Sequence, residues 1–108
     1  MGANDSKGEP LITHIVLFRL IDRDEENIEE TKDVLMSMKG KIPQLRSLVV
    51  GADILRSTRS YDLALIAKFD SMGDLHAYQT HPFHQGVLEF IARVKESSFT
   101  VDFEDKIG

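Results

Sequence analysis

Thirteen residues, Asp74 to Gly86 (DLHAYQTHPFHQG), hold three of the chain's four histidines and one of its two tyrosines. Imidazole is the side chain whose unperturbed pKa lies near neutrality, so it can take up or release a proton at working pH. A phenol can donate a hydrogen bond to a carbonyl oxygen. His76, Tyr78, His81 and His84 therefore admit three uses: acid–base chemistry, metal ligation, or a helix start that happens to be rich in imidazole. The metal use is the least supported. His81 and His84 have the i, i+3 spacing of helical ligands, but Pro82 lifts His81 out of regular helix, so the two rings need not converge. Zinc needs three good ligands, and the nearby Asp74 belongs to a capping turn. No metal is expected.

The elements around this segment follow from hydrophobic period. Leu11–Ile21 (LITHIVLFRLI) reads as a strand, with His14, Val16, Phe18 and Leu20 on one face and Thr13, Ile15, Leu17 and Arg19 on the other. Residues 24–41 read as a helix whose buried stripe is Ile28, Thr31, Val34, Leu35 and Met38. Asp22 and Glu25 have capping-box spacing, and Gly40 and Pro43 stop the helix. Lysines at its end and acids at its start suit the helix dipole. Leu45–Leu55 is a second strand with a bulge expected at Gly51. Tyr61–Phe69 is a third, with Tyr61, Leu63, Leu65, Ala67 and Phe69 on one face and Asp62, Ala64, Ile66 and Lys68 on the other. Ser71 and Asp74 open a second helix, interrupted at His81, with Pro82 in the first position of a new one. Phe83, Val87, Phe90, Ile91 and Val94 form its buried stripe. Ser98–Glu104 is a last strand, with Phe99, Val101 and Phe103 on one face.

The order β-α-β-β-α-β is the ferredoxin-like pattern, an α+β fold with a four-stranded antiparallel sheet and helices on one face. Residues 11–108 form one domain in this reading. Residues 1–10 (MGANDSKGEP) have no apolar run, so no signal peptide is expected, and they read as a disordered lead-in. Both faces of the first strand are apolar, and two helices cover only one side of the sheet. The other side, with Ile15, Leu17 and Ile66, would be a large exposed apolar patch. A homodimer with two sheets face to face, an α/β barrel, removes it.

Composition narrows the partners. The 108 residues carry 13 basic and 18 acidic side chains, a formal charge of −5. Nucleic acid and anionic membrane surfaces are not expected partners. With no cysteine, thiolate nucleophiles, disulfides and Cys-ligated metals are excluded, and the cytoplasm is the default compartment. No nucleotide-binding glycine loop is present, and no cofactor is expected.

The strand THIVLFRL combined with DLALIAKFDSMGDLHAYQTHPFH resembles the stress-responsive A/B barrel family, often called Dabb, over nearly the whole chain after the first ten residues. The most specific part is the run from Tyr78 into His81-Pro82-Phe83-His84, together with a histidine in the first strand. The resemblance implies a ferredoxin-like fold that dimerises through its sheet. It also implies a protein of a family whose members mostly have no established chemistry. One plant member closes a linear polyketide by an intramolecular aldol step, and its catalytic tyrosine and histidine fall on Tyr78 and His84, with a pocket histidine on His14. The other pocket residues of that member are not retained, so its substrate does not carry over.

His84, third residue of its helix, sits at the positive dipole end beside unpaired N–H groups, which favours the neutral ring, a form suited to a general base. Tyr78 is then a hydrogen-bond donor and His14 an orienting group. Val16, Phe18, His81 and Phe83 are expected to contact a small molecule. The structural alternative for each is ordinary: a satisfied core histidine, a packing tyrosine, and His81 as a helix cap. Function classes in play are a small-molecule-binding dimer, a cofactor-free cyclase or lyase acting on a carbonyl compound, and an antibiotic-biosynthesis-type monooxygenase.

Overall fold

The structure, a computed structural model, describes residues 11–105. The expected lead-in, residues 1–10, lies outside the described residues. The elements are β1 (Leu11–Leu20), α1 (Glu25–Met36), β2 (Ser47–Ala52), β3 (Leu63–Phe69), α2 (Met72–Thr80), α3 (Pro82–Val94) and β4 (Lys95–Asp105). The strands form one sheet in the order β2-β3-β1-β4, with every neighbouring pair antiparallel. This is the ferredoxin-like βαββαβ arrangement, its second helix divided in two.

The core lies between the sheet and the helices. Ile12, Val16, Phe18 and Leu20 of β1 join Leu63, Leu65, Ala67 and Phe69 of β3 against Ile28 and Leu35 of α1, Leu75 and Tyr78 of α2, and Val87 and Ile91 of α3. The side chains alternate as a half-covered antiparallel sheet requires. The second face is also apolar. Leu17 pairs with Phe99, Ile15 with Val101 and with Ile66, and Val49 with Ile66. On this face Val49, Phe99 and Val101 are 59%, 63% and 58% exposed, a degree that a core strand would not tolerate. Among the described residues no helix is long and apolar enough to cross a membrane.

Several boundaries differ from the sequence reading, each for a local reason. The cap of α1 is Asp24, whose carboxylate accepts the Asn27 N–H at 2.8 Å, not Asp22. α1 stops at Met36, so Lys39 and Lys41 lie in the following turn and no basic residue occupies its last turn. Gly40 takes φ +82° in that turn, a conformation open to glycine. Gly51 pairs regularly with Ala64, without the expected bulge. β4 starts at Lys95, directly after α3, because β1 is long enough to pair with it as far as Leu20.

The largest departure is at Tyr61 and Asp62. Strict alternation would place Tyr61 with Leu63 and put Asp62 on the open face. Regular pairing begins only at Leu63, and the two residues before it turn the other way. The Tyr61 ring packs against Phe99 on the open side, with centroids 5.5 Å apart. Asp62 is fully buried. Its carboxylate accepts the Leu20 N–H at 2.8 Å, Arg23 Nε at 2.9 Å and Arg56 Nη1 at 3.0 Å. Burial pushes this carboxyl up, but the Leu20 N–H and the Arg23 and Arg56 guanidinium groups together outweigh it and hold its pKa below the ordinary 3.8. The anion thus ties the end of β1, the turn before α1 and the β2–β3 loop together.

Asp62→Ala is expected to cost about 3 kcal/mol, because a buried, multiply bonded anion is lost and its donors are left behind. Urea denaturation should show a lower midpoint with an unchanged slope. A midpoint equal to wild type would contradict this role. With the folded pKa depressed, the contribution is present above 3.8 and is lost as pH falls through the folded value.

Candidate functional site

The site is made by a break in a helix. Ser71 caps α2, accepting the Asp74 N–H at 3.1 Å. At the other end His81 adopts φ −65°, ψ 136°, as a residue before proline prefers. Pro82 has no N–H to give to Tyr78 O, and that carbonyl accepts the His81 N–H at 3.2 Å instead. In an unbroken helix the Phe83 N–H would bond Gln79 O. Here it is donated to His81 Nδ1 at 3.0 Å, so His81 is the cap of α3. The Gln79 carbonyl is thereby released. It accepts His84 Nδ1–H at 3.1 Å and Gln85 Nε2–H at 2.6 Å.

That bond fixes a tautomer. With Nδ1 donating to a carbonyl, the neutral His84 ring carries its lone pair on Nε2. Burial pushes the His84 pKa down. The Gln79 carbonyl draws it partly back, nearby His14 and His81 oppose the charged form, and the result lies below the ordinary 6.5. The direction matches the sequence expectation, but the leading cause is burial rather than the helix terminus.

Tyr78 stands at the centre. Its ring centroid lies 4.3 Å from that of His84, 4.8 Å from Phe69 and 6.1 Å from His14, the last edge-on. It is almost wholly buried. Burial raises its pKa from 10.0 to about 12, so it stays a phenol at any physiological pH. The hydroxyl's protein partner is Met38 Sδ at 3.8 Å, a weak acceptor that a carbonyl oxygen would readily displace. His14 enters from β1. Its Nδ1 donates to Asp102 Oδ1 at 2.5 Å, and His14 and Asp102 are direct cross-strand partners.

These groups border a cleft of about 340 Å³ whose walls include His14, Val16, Phe18, Leu65, Tyr78 and His84. That volume is at the low end of the ~300–1,000 Å³ usual for small-molecule sites. The structure therefore brings together five of the seven residues singled out from the sequence: His14, Val16, Phe18, Tyr78 and His84. It does not bring His81 or Phe83 into the wall. His81 is spent on capping α3, and Phe83 packs half-buried against the core. His76 is exposed, as expected. Among the described residues no three His, Cys, Asp or Glu side chains converge as a metal site.

Sequence reasoning missed Asp102, and with it the β4 wall formed by Lys95, Ser98 and Thr100. A signal existed for Ser98, Thr100 and Asp102, the polar alternates of Phe99, Val101 and Phe103; Lys95 joins their side only through the register shift at Arg19 and Leu20.

Residues 12–105 match the family described as Stress responsive A/B Barrel Domain. Comparison with curated protein sequences gives no match. A structure from Thermobifida fusca, described as a dimeric ferredoxin-like protein of unknown function, is 32% identical. The alignment covers 89% of this chain and 92% of that one, with a TM-score of 0.78. A dimeric ferredoxin-like protein of unknown function from Bacteroides fragilis is 31% identical over 87% and 95% of the two chains, with a TM-score of 0.75. A hydroxynitrile lyase from Passiflora edulis shares the fold, with a TM-score of 0.76 over 90% and 94% of the chains at 15% identity.

An NMR pH titration should find the His84 ring neutral at pH 7 with a midpoint below 6.5, and no Tyr78 ionisation below about pH 11. A His84 midpoint above 6.5 would contradict the assigned environment. Because the folded pKa is depressed, stability from the neutral ring is present above 6.5 and lost as pH falls through the folded value.

Proposed function

Because the chain belongs to the stress responsive A/B barrel domain family, we propose that it acts as a homodimer whose cleft binds a small carbonyl compound and moves protons on it without a cofactor. The observation that supports this reading most is the pairing of Tyr78 and His84 at 4.3 Å on one cleft wall, with environments that drive their titrations apart. Oppositely tuned neighbours are the usual arrangement of an acid and a base.

The chemistry follows from the atoms. His84 Nε2 accepts a proton from carbon next to a carbonyl. The C–H electron pair moves into the enolate, and the carbonyl oxygen takes up the charge. The Tyr78 hydroxyl donates its hydrogen bond to that oxygen, exchanging Met38 Sδ for a stronger acceptor. The enolate carbon can then attack a second carbonyl of the same molecule, and the imidazolium returns its proton to the new alkoxide. Run backwards, the same steps break a carbon–carbon bond, a lyase reaction. Asp102, bonded to His14 Nδ1, fixes that ring at the cleft wall. The existence of a hydroxynitrile lyase on the same fold lends support by analogy of fold alone.

The dimer belongs to the same reading. A second copy is the natural cover for the strip of Leu17, Val49, Phe99, Val101 and Phe103, and two relatives above 30% identity are described as dimeric. A cytoplasmic location is part of the same proposal.

With a linear β-polyketide thioester as probe substrate, His84→Ala is expected to lower turnover by about 10²–10⁴ and Tyr78→Phe by about 10². Both variants should keep the wild-type mass in solution. Full turnover in His84→Ala would refute the acid–base assignment. Bound ligand without turnover in wild type would leave a binding protein. For the interface, Val101→Lys should convert the protein to folded monomers of 12.2 kDa by sedimentation with unchanged far-UV circular dichroism. A Val101→Lys dimer would exclude the sheet face as the contact.

A further inference from the structure

The cleft has two unlike walls. One is apolar, formed by Val16, Phe18, Leu65, Val87 and Ile91. The other is the inner side of β4, where Lys95, Ser98 and Thr100 follow at every second or third residue. Lys95 is the one permanently charged side chain among the residues bordering the cleft. Its place is fixed by the backbone: its N–H caps α3 by bonding Ile91 O, and β4 starts at the same residue. Its ammonium group donates to Ser98 Oγ at 3.2 Å. Among the described residues no carboxylate lies within 4.0 Å of it, while the adjacent Glu96 pairs with Arg19 at 3.5 Å and Asp102 with His14 at 2.5 Å. In a chain of net charge −5, the cleft thus holds a cation left unneutralised beside the Ser98 hydroxyl, with Thr100 farther along the same wall.

We infer that the cleft selects an amphipathic monoanion, with a hydrocarbon body on the apolar wall and a carboxylate paired with Lys95. This rests on the cleft being a ligand site, as proposed above. The Ser98 and Thr100 hydroxyls then face the oxygen-bearing edge of the molecule, where they can donate or accept. Lys95 acts as a point charge with three donors on a flexible stem, so it sets preference for the anion rather than a single pose. Since Lys95 is exposed, the preference is modest, about three- to fivefold, and weakens with salt.

The test uses 5-oxodecanoate and its methyl ester, titrated into the full-length protein and followed by NMR at Val87, Tyr78 and His84. The inference expects the acid to bind about three- to fivefold more tightly than the ester in 50 mM salt, with the difference shrinking in 500 mM salt. Lys95→Met should erase the difference while ester binding persists, and Lys95→Arg should retain it. Equal binding of acid and ester by wild type, or a preference that survives in Lys95→Met, overturns the role of Lys95 and leaves the cleft as a ligand site. If neither compound moves the three reporters, the ligand-site reading fails, and the inference falls with it.

Discussion

The register of β4 against β1 is the constraint on which the rest depends. His14 pairs with Asp102, Ile15 with Val101, and Leu17 with Phe99. This register turns the polar side of β4 toward the helices and its apolar side away from them. A slip of one residue would reverse both. Phe99, Val101 and Phe103 would then crowd the cleft, and Asp102 would leave His14. The cleft and the open sheet face are therefore two consequences of one alignment. The helix-facing side of the sheet still closes a full core, because β1 and β3 supply it without help from β4. That is what frees β4, an edge strand, to turn polar side chains inward.

The second constraint is the missing N–H of Pro82. A continuous helix through this region would consume the Gln79 carbonyl in an ordinary turn. The break leaves it free to hold His84 Nδ1 and so assigns the lone pair to Nε2. It also brings the Tyr78 and His84 rings into contact across the break. The site depends on this backbone event as much as on the side chains. His81 illustrates the point: it makes no wall of the cleft, yet as the N-cap of α3 it positions the residue that does. At the Leu20 end of β1, Asp62 secures the strand to the loops around it.

Much of this was legible in the amino-acid order. Alternation placed His14, Val16 and Phe18 on one face, and Pro82 announced both the break and the new helix. Apolar residues on both sides of β1 signalled a second face in need of cover. The physical reason is that period and proline act locally. What was not legible depends on pairing between distant strands. Asp102 acquires meaning only opposite His14, a partner 88 residues away. Ser98 and Thr100 are only the polar alternates of a strand until the helices are laid over them, and Lys95 lies before the strand that the sequence suggests, Ser98–Glu104, whereas β4 begins at Lys95 itself. Tyr61 and Asp62 mislead for a related reason. Alternation was extended two residues beyond the true start of β3, where a buried anion, not the pleat, decides direction.

β4 faces the helices with its polar side, and the proposed dimer sets its apolar side against a second copy. The direct measurement is an isotope-filtered NOE experiment on a mixture of labelled and unlabelled protein. Intermolecular NOEs are predicted at the methyl groups of Ile15, Leu17 and Val101, with none at Val16, Leu65 or Val87. Intermolecular NOEs at the second set, or none at the first, would contradict it.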